Sequence, residues 1–274
     1  MEKDDAKVCR MGVKHHIALQ KLNHLFPSYN FHTLIPTKDG VIDTTYIVAT
    51  PRSSYILKHF DRDIEQKIVF DKQLLALLSQ NKCNTPIYID ENQGWYLLKK
   101  LQGKQIKTIQ LHHIRSLARF MAHYHSVTCN NCTQKHFFDN HPIETYLKHI
   151  KKKFYPYYKK LYPLVYRNNG CDGFIHGDIF IDNTIFDGAK IGVFDFIDGG
   201  SGSFSFDVAV ALLSFNPKNK KLFFNIFVAT YNQHAVKKLT PKEIQAQTKT
   251  AKELYALLRL QRGDIRGAKQ LIFR

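Results

Sequence analysis

The chain has 274 residues, of which 44% are hydrophobic and 23% charged, and its formal net charge is +17. This ordinary hydrophobic content excludes an intrinsically disordered chain, and the length suits one large or two small domains. The longest hydrophobic run, residues 222–229, is too short for a transmembrane helix of about 20 residues, and residues 1–10 are too polar for a secretory signal, which predicts a cytoplasmic protein without a membrane partner.

The first hundred residues predict a small sheet with one inserted helix. Hydrophobic residues at helical spacing indicate helices over residues 14–26 and 63–80. Runs rich in β-branched and aromatic residues predict strands at 44–50, 54–60, 86–90 and 95–101. We therefore expect residues 31–101 to form an antiparallel sheet.

From Gly103 onward the pattern is mostly helical. Predicted helices cover residues 110–127, about 141–166, 207–215, 219–235 and 241–262. The exception is the segment 172–198, whose short hydrophobic runs predict small strands. These patterns suggest a β-rich region over 11–101 and a helical region over 102–274.

The positive charge is unevenly distributed along the chain. Residues 135–170 carry +6 and residues 217–274 carry +10, whereas residues 171–216 carry −6. Six of the seven carboxylates in this acidic segment lie between Asp178 and Asp207. Because clustered carboxylates repel one another unless a cation or hydrogen bonds compensate them, we expect the chemistry to lie in this segment.

The five cysteines predict neither a disulfide scaffold nor a metal site. They are few and irregularly spaced for a chain of this length. Cys129 and Cys132 form a C-x-x-C pair, but a structural zinc site needs four ligands and the sequence has no second such pair. We therefore interpret them as reduced thiols of a cytosolic loop.

The acidic segment contains an ordered set of residues suited to phosphoryl transfer. His176-Gly-Asp178 is followed by Asn183 and then by Asp195. Transfer from ATP needs a carboxylate that orients and deprotonates the attacking hydroxyl, oxygen ligands for Mg²⁺, and a cation on the phosphates. Asp178, the pair Asn183 and Asp195, and Lys58 of a predicted strand can supply these three functions. Although a single aspartate is more often a turn residue, the combination in one acidic segment favours a site.

The strings HGDIFIDNTIF at residues 176–186 and VFDF at 193–196 resemble the catalytic signature H-G-D-x-x-x-x-N of the aminoglycoside phosphotransferase and choline kinase superfamily. The resemblance implies an α+β, bilobal protein-kinase-like fold, with a small antiparallel β-rich N-lobe and a larger helical C-lobe. It also implies that ATP and Mg²⁺ are the cofactors and that the partner is a small-molecule alcohol rather than a nucleic acid.

The same resemblance implies roles for individual residues. Asp178 would be the catalytic base, His176 would organise the catalytic loop, and Asn183 and Asp195 would bind Mg²⁺. Asp207 falls where the family has a buried aspartate that braces the loop, although an aspartate favoured by a helix N-terminus would also fit there.

Nucleotide binding would use the N-terminal region. Lys58 would contact the phosphates, and Asp71 or alternatively Glu65, both on the predicted helix 63–80, would hold the lysine in place. Small residues of a turn would allow the backbone to approach the phosphates, and backbone groups after the last strand would bind adenine. The remaining nucleotide-binding candidates are Gly40, Thr44, Thr45, Lys99 and Leu101.

Within the superfamily, the chain most resembles the bacterial homoserine kinases of the aminoglycoside-phosphotransferase type, from Met11 onward, which would make residues 1–10 an N-terminal extension. The matching strings are GVIDTTY at 40–46, AHYH at 122–125 and the Phe and second Asp of the loop at 180–182, and helices over 231–259 also match. The resemblance implies phosphorylation of L-homoserine in threonine biosynthesis. Asp182 or Asp198 would suit the substrate ammonium, and the partner of its carboxylate is unassigned.

Other functions compete with this interpretation. Choline, thiamine, methylthioribose and aminoglycosides would undergo the same chemistry and would be attracted to an acidic pocket. A basic nucleic-acid-binding protein is the alternative outside this class, based on lysines interleaved with aromatic residues at 148–160. That pattern is more typical of an amphipathic helix with a solvated face. A catalytically inactive kinase-like binding module is disfavoured because the residues needed for catalysis are all present, namely Lys58, Asp178, Asn183 and Asp195.

Overall fold

The computed structural model describes residues 14–37, 43–167, 170–215 and 220–273. The chain divides into two compact units, unit 1 over Met1–Gln102 and unit 2 over Gly103–Arg274. Unit 1 is built around an antiparallel sheet and unit 2 is mostly helical, which confirms the predicted α+β class. None of the helices in the described ranges is long and apolar enough to cross a membrane.

Unit 1 contains a five-stranded antiparallel sheet with the order β1-β2-β3-β5-β4. Its elements are α1 (Leu19–Leu25), β1 (Thr33–Pro36), β2 (Thr44–Ala49), β3 (Ser54–His59), α2 (Glu65–Gln80), β4 (Tyr88–Asn92) and β5 (Trp95–Lys99). The predicted helix over 14–26 is shorter in the structure, and the other predicted elements lie within a few residues of their expected positions.

One face of the sheet packs on α1. Tyr46 and Val48 alternate with less buried neighbours along β2, and they join Leu57 of β3, Leu97 of β5 and Leu22 of α1 in one buried cluster. Burying a side chain of this size contributes about 1.5–3 kcal/mol. The alternate residues of β2 that point to this face therefore pack against α1 and hold it on the sheet.

Unit 2 consists of helices and two small antiparallel strand pairs. Its elements are α3 (Leu111–Thr128), α4 (Ile143–Lys153), α5 (Tyr155–Leu161), β6 (Gly173–Ile175), β7 (Thr184–Asp187), β8 (Lys190–Val193), β9 (Gly200–Gly202), α6 (Phe204–Ser214), α7 (Lys220–His234), α8 (Pro241–Gln261) and α9 (Ile265–Ile272). β6 pairs with β9 and β7 pairs with β8. Helix α9 was not predicted from the sequence.

The predicted single helix over 141–166 is wrong, because the chain breaks between α4 and α5. Phe154 leaves the helical region with φ −138° and ψ 54°, and α5 begins immediately after it. Pro156 has no N–H to donate to the preceding turn, and inside a continuous helix its ring would clash with the carbonyl four residues earlier, whereas the first turn of α5 tolerates it. Pro163 accompanies a further change, to the 3₁₀ helix Tyr162–Tyr166.

A disulfide joins Cys132 to Cys171, so the interpretation of the Cys129 and Cys132 pair as reduced thiols is wrong for Cys132, whereas Cys129 is a free cysteine. The bond links the segment after α3 to the segment before β6, and these cysteines are 39 residues apart in the chain. Spacing could not reveal the pair, because the tertiary fold brings the two segments together. Disulfides persist mainly in oxidising compartments, so the cytoplasmic location stays a prediction and this bond counts against it.

Candidate active site

A buried carboxylate holds the loop that leads from β6 to β7, residues 176–183, which we call the catalytic loop. Asp207, fully buried in the first turn of α6, accepts hydrogen bonds from the backbone N–H of His176 at 3.1 Å and of Gly177 at 2.7 Å. Its third donor is Nε2 of His125 on α3, at 3.1 Å. A buried carboxylate is stable only when donors replace its hydration, and here three of them do.

His125 is itself held by a second buried group. Its Nδ1 accepts from the Tyr231 hydroxyl of α7 at 2.8 Å. Burial, followed by the nearby Asp207 carboxylate, raises the pKa of Tyr231, so this hydroxyl stays protonated and donates. Helices α3, α6 and α7 therefore all contribute to fixing the start of the catalytic loop.

Only glycine fits at position 177. Gly177 has φ +74°, a conformation that disfavours a side chain, and a Cβ there would lie 2.0 Å from the Phe137 ring. This backbone turn directs two successive N–H groups, those of His176 and Gly177, toward Asp207. The glycine of the H-G-D string thus has a geometric reason.

His176 organises the loop through its ring. Nδ1 accepts from the backbone N–H of Asp178 at 3.2 Å, so the proton is on Nε2, which donates to the Phe194 carbonyl at 3.0 Å. The ring is buried and packs against Phe196. The ring thus links the backbone of Asp178 to the segment after β8, and its organising role in catalysis stays a prediction.

Asp178, the predicted base, is half-buried and accepts two side-chain hydrogen bonds. Nδ2 of Asn183 donates to its Oδ2 at 3.1 Å and to its backbone oxygen at 2.8 Å. The Tyr255 hydroxyl of α8 lies 3.0 Å from the other carboxylate oxygen, Oδ1, and also contacts the Gly177 carbonyl. The carboxylate is therefore oriented from both sides.

Burial raises the pKa of Asp178 to about 6. The neighbouring His176 and the hydrogen bond from Tyr255 oppose this rise, and the Asp182 and Asp195 carboxylates add to it. A carboxylate with a pKa closer to neutrality is a better proton acceptor than an ordinary aspartate, which is typical of a general base. Perturbed pKa values of this kind also concentrate at functional sites.

Asn183 and Asp195, the predicted metal ligands, lie at the same end of the β7–β8 hairpin. Asn183 directly precedes β7, Asp195 follows β8 by two residues, and Thr184 pairs with Val193 between them. Asp195 has φ +73°, which is uncommon for a residue other than glycine and redirects the chain after β8. Because Nδ2 of Asn183 donates to Asp178, its amide oxygen is the atom that a cation would use. An amide oxygen and a carboxylate suit Mg²⁺.

The predicted contacts of the substrate ammonium, Asp182 and Asp198, lie close in the chain to these ligands, one residue before Asn183 and three residues after Asp195. Asp182 is exposed in the 3₁₀ helix Ile181–Asn183, and its backbone oxygen accepts from Gln105 at 2.9 Å. Asp198 is half-buried in the turn before β9.

In unit 1, Lys58 lies in β3, where it pairs with Thr45 of β2 and Tyr96 of β5. Of the two candidate carboxylates on α2, Asp71 is buried and accepts from the Tyr88 hydroxyl at 2.7 Å, whereas Glu65 is exposed at the first residue of the helix. Which of the two carboxylates would hold Lys58 stays a prediction.

The other nucleotide-binding candidates have varied surroundings. Gly40 lies outside the described residues. The hydroxyl of Thr44 is buried and accepts from the backbone N–H of His15, while the backbone oxygen of Thr45 accepts from Thr37. Lys99 donates its N–H to the Ile87 carbonyl, and Leu101 is half-buried in the segment after β5.

A cavity of about 890 Å³ lies beside the catalytic loop. The end of α6, the start of α7, one face of α8, and α9 form its wall, and Tyr255 connects it to Asp178. The lining residues are Phe180, Leu212, Leu213, Ser214, Phe215, Lys220, Lys221, Phe223, Phe224, Gln245, Thr248, Lys252, Tyr255, Arg259, Gln270 and Leu271. Asp178 itself is not among the lining residues, but Tyr255 and Phe180 link the cavity to the catalytic loop, which makes it a candidate acceptor site.

This cavity is basic. Four lining side chains are cationic, Lys220, Lys221, Lys252 and Arg259, and no carboxylate lines it among the described residues. Residues 216–219, which are not described, contain no acidic residue in the sequence. A basic wall attracts anionic groups and repels cationic ones. The finding differs from the acidic pocket expected from the sequence.

Sequence reasoning missed Tyr255 and the basic face to which it belongs. Gln245, Thr248, Lys252, Tyr255 and Arg259 recur every three or four residues and therefore share one face of α8. This polar face was the signal in the sequence that could have revealed the cavity wall. Without knowing which elements pack beside α8, however, it looks the same as an ordinary solvent-exposed helix face.

The fold and the loop define a phosphotransferase of the kinase-like class. A family model described as the phosphotransferase enzyme family matches residues 33–239, and the chain belongs to that family. No individually curated protein sequence matches the chain.

Solved structures share the fold at low sequence identity. An amicoumacin kinase, in complex with AMP-PNP, Ca²⁺ and Ami, is 17% identical with a TM-score of 0.72, covering 92% of this chain and 91% of that one. A macrolide 2′-phosphotransferase from Brachybacterium faecium is 15% identical with a TM-score of 0.67, covering 93% and 96%. A putative fructosamine-3-kinase from Haemophilus somnus is 17% identical with a TM-score of 0.62, covering 92% and 96%. These similarities confirm the protein-kinase-like fold.

Proposed function

We propose that the protein is an ATP-dependent phosphotransferase that acts on the hydroxyl of a small molecule, with L-homoserine as the acceptor. The reaction would convert ATP and L-homoserine to ADP and O-phospho-L-homoserine, a step of threonine biosynthesis. The observation that carries the proposal is the Asp178 carboxylate, whose pKa is raised to about 6 and which two side chains orient on a braced loop.

Asp178 would accept the proton of the acceptor hydroxyl while the hydroxyl oxygen bonds to the γ-phosphorus of ATP. The bond from that phosphorus to the β-phosphate oxygen breaks, and ADP leaves. His176 would keep the loop in place through its two hydrogen bonds. No covalent enzyme intermediate is needed.

Asn183 and Asp195 would hold a divalent ion, with Mg²⁺ as the proposed metal, which would neutralise charge on the phosphates when bound. Lys58 would bind phosphate oxygens, with Asp71 orienting it. The ATP analogue and Ca²⁺ in the amicoumacin kinase complex, and the ATP in a complex of an aminoglycoside phosphotransferase with streptomycin, support this assignment by analogy. Gly40, Thr44, Thr45, Lys99 and Leu101 stay predicted nucleotide contacts.

The basic cavity supports an acceptor with a carboxylate over a cationic acceptor. Lys252 and Arg259 lie on the same face of α8 as Tyr255, which contacts Asp178, so a carboxylate bound by them would sit near the base. Choline, thiamine and aminoglycosides are cations, which this wall would repel. Asp182 and Asp198 are not part of the described cavity lining, and their contact with the substrate ammonium stays a prediction.

The size of the cavity favours a second candidate, a larger acidic alcohol. At about 890 Å³ the cavity lies in the range of sites for drug-sized ligands, and L-homoserine would fill only part of it. Aromatic side chains line the remaining wall, including Phe223 and Phe224. An acceptor that carries an apolar group as well as a hydroxyl and a carboxylate would contact both the aromatic and the basic parts of the wall.

The test is a coupled ADP-release assay with Mg²⁺-ATP and separate acceptors: L-homoserine, 4-hydroxybutyrate, choline, thiamine, methylthioribose and an aminoglycoside. We expect turnover with the carboxylate-bearing acceptors and its loss in Asp178→Ala. Turnover that persists in Asp178→Ala would refute the mechanism. Preference for choline or the aminoglycoside would refute only the acceptor assignment.

The structure offers an ordinary explanation for the basic stretch at 148–160 that suggested nucleic-acid binding. Its lysines lie against neighbouring rings, as Lys151 does on Tyr158 and Lys160 on Phe273, while Ile150 is buried. Lysine side chains on the surface helices α4 and α5 cover apolar area in this way. Retention on RNA or DNA near physiological salt, without ATP turnover, would revive the alternative.

A further inference from the structure

Three side chains of unit 1 that the proposed reaction does not use converge on one point. His15 lies on the segment before α1, His59 ends β3, and Asp61 follows it. Oδ1 of Asp61 is 2.8 Å from Nε2 of His15 and 3.3 Å from Nδ1 of His59, and the three ligand atoms lie within 4.8 Å of one another. The two imidazole rings are 4.2 Å apart between centroids.

The separations match those of a metal-ligand set. In a tetrahedral zinc site with bonds of about 2.0–2.1 Å, neighbouring ligand atoms lie about 3.3 Å apart. The distance from Asp61 to His59 matches this spacing and the distance to His15 is about 0.5 Å shorter, and imidazole nitrogens together with one carboxylate are typical zinc ligands. Mg²⁺ prefers oxygen ligands, so the set distinguishes between the two ions.

A second layer of hydrogen bonds holds the cluster in position. The buried Thr44 hydroxyl accepts from the backbone N–H groups of Lys14 at 3.0 Å and His15 at 3.1 Å, and lies 3.4 Å from Oδ2 of Asp61. The Tyr46 hydroxyl donates to the His15 carbonyl at 3.0 Å. Groups that orient ligands in this way are a regular feature of metal sites.

The cluster of His15, His59 and Asp61 is buried on one side and open to solvent on the other. Trp95 packs against the ring of His59, and the side chain of Asp61 is only 7% exposed, whereas that of His15 is 53% exposed. A protein-bound ion would thus keep an open side for water. Residues 14–15 would then be joined to β3 by coordination as well as by hydrogen bonds.

We propose that His15, His59 and Asp61 form a zinc site that joins the segment before α1 to the sheet of unit 1. Its ion is distinct in chemistry from the Mg²⁺ of the proposed reaction. Its role is to stabilise unit 1, because an ion that binds only the folded protein adds to the free energy of unfolding.

The test is a titration of the full chain, freed of metal with a chelator that is then removed. Zn²⁺ is added by calorimetry in the presence of excess Mg²⁺, and Co²⁺ serves as a spectroscopic probe in a parallel experiment. We expect one site, a tetrahedral Co²⁺ absorption spectrum and a rise in Tm on adding Zn²⁺. His15→Gln and His59→Gln should each weaken this binding by at least about 10–100-fold, the loss that changes in the outer layer alone cause.

The matched control is His16→Gln, which removes an exposed histidine adjacent to the cluster but outside it. Its Zn²⁺ affinity should equal that of the unaltered protein. Circular dichroism in chelator establishes that each variant folds. No Zn²⁺ binding, or equal binding by the unaltered protein and the double variant His15→Gln/His59→Gln, would overturn the proposal. Kinase activity is not part of the readout, so the two proposals stand or fall separately.

Discussion

The catalytic loop and the adjoining cavity differ in charge and in how their side chains are held. The loop belongs to the acidic segment, and its carboxylate Asp178 is oriented by Asn183 and Tyr255 above a backbone fixed by the buried Asp207. The cavity wall is basic, and Lys220 and Lys221 are exposed at the start of α7.

This difference separates two requirements of the proposed reaction. Proton acceptance needs one carboxylate at one position. The residues that hold this carboxylate by hydrogen bonds must therefore be of particular types at particular spacings along the loop. Attraction of an acidic acceptor needs only positive charge near the right wall, which many sequences can supply. The loop therefore carries a recognisable motif and the cavity does not. Changes in the loop should abolish turnover of every acceptor, whereas changes in the cavity should alter which acceptor is used.

The largest expected effect is that of Asp178→Asn. Loss of the proposed base should lower kcat by about 10²–10⁴-fold with every acceptor, because the amide cannot take the hydroxyl proton. The coupled ADP-release assay measures this. An acceptor whose turnover is unchanged in the variant would show that the loop does not act in the same way for all of them.

The same variant has a thermodynamic signature that checks its folding. Burial raises the folded-state pKa of Asp178 to about 6, above its unfolded-state value. The stability that the neutral carboxyl contributes is fully present below the unfolded-state pKa and is lost as the pH rises through about 6, where the folded protein must bury a charge. Removing the charge should thus raise the free energy of unfolding at pH 8 by about 1–2 kcal/mol, with a smaller gain at pH 5. Urea unfolding at the two pH values measures the difference.

The second prediction concerns the cavity and uses L-homoserine and its amide, which lacks the carboxylate. In the double variant Lys252→Gln/Arg259→Gln, the KM for L-homoserine should rise by about 10-fold or more, because hydrogen bonds to a charged group are lost. The KM for the amide should change little, so the preference between the two acceptors falls.

Lys249→Gln is the matched control for the cavity variant. Lys249 is on the same helix, its side chain is 77% exposed, and it lies outside the cavity lining. It removes one positive charge from α8 without touching the proposed acceptor wall. An equal loss of preference in this control would mean that the general field of the helix, and not the cavity, selects the acceptor.

The smallest expected effect is that of Tyr255→Phe, which contacts both regions. The activity of the unaltered protein should rise with pH through about 6, because Asp178 must be ionised to accept a proton. The Tyr255 hydrogen bond lowers the pKa of Asp178, so its loss should move the midpoint of kcat/KM upward by roughly 1 pH unit. A pH–rate profile with an unmoved midpoint would contradict this coupling.

Much of the fold was predictable because local patterns agree with it. The alternation in β2, with Tyr46 and Val48 buried, is visible in the sequence as a β-branched and aromatic run. The break at Phe154 was also encoded locally, by Pro156, but the surrounding hydrophobic spacing concealed it.

In the candidate site, the sequence alone determined the H-G-D string, the later Asn183 and Asp195, and the acidic segment that contains them. These residues lie at short spacings along one loop and one hairpin, so their pattern is visible in the sequence. Only the tertiary structure decided that Tyr255 orients Asp178, that His125 supports Asp207, that the cavity is basic, and that Cys132 bonds to Cys171. The two side-chain contacts and the disulfide join segments at least 39 residues apart in the chain, and packing rather than local periodicity brings such segments together.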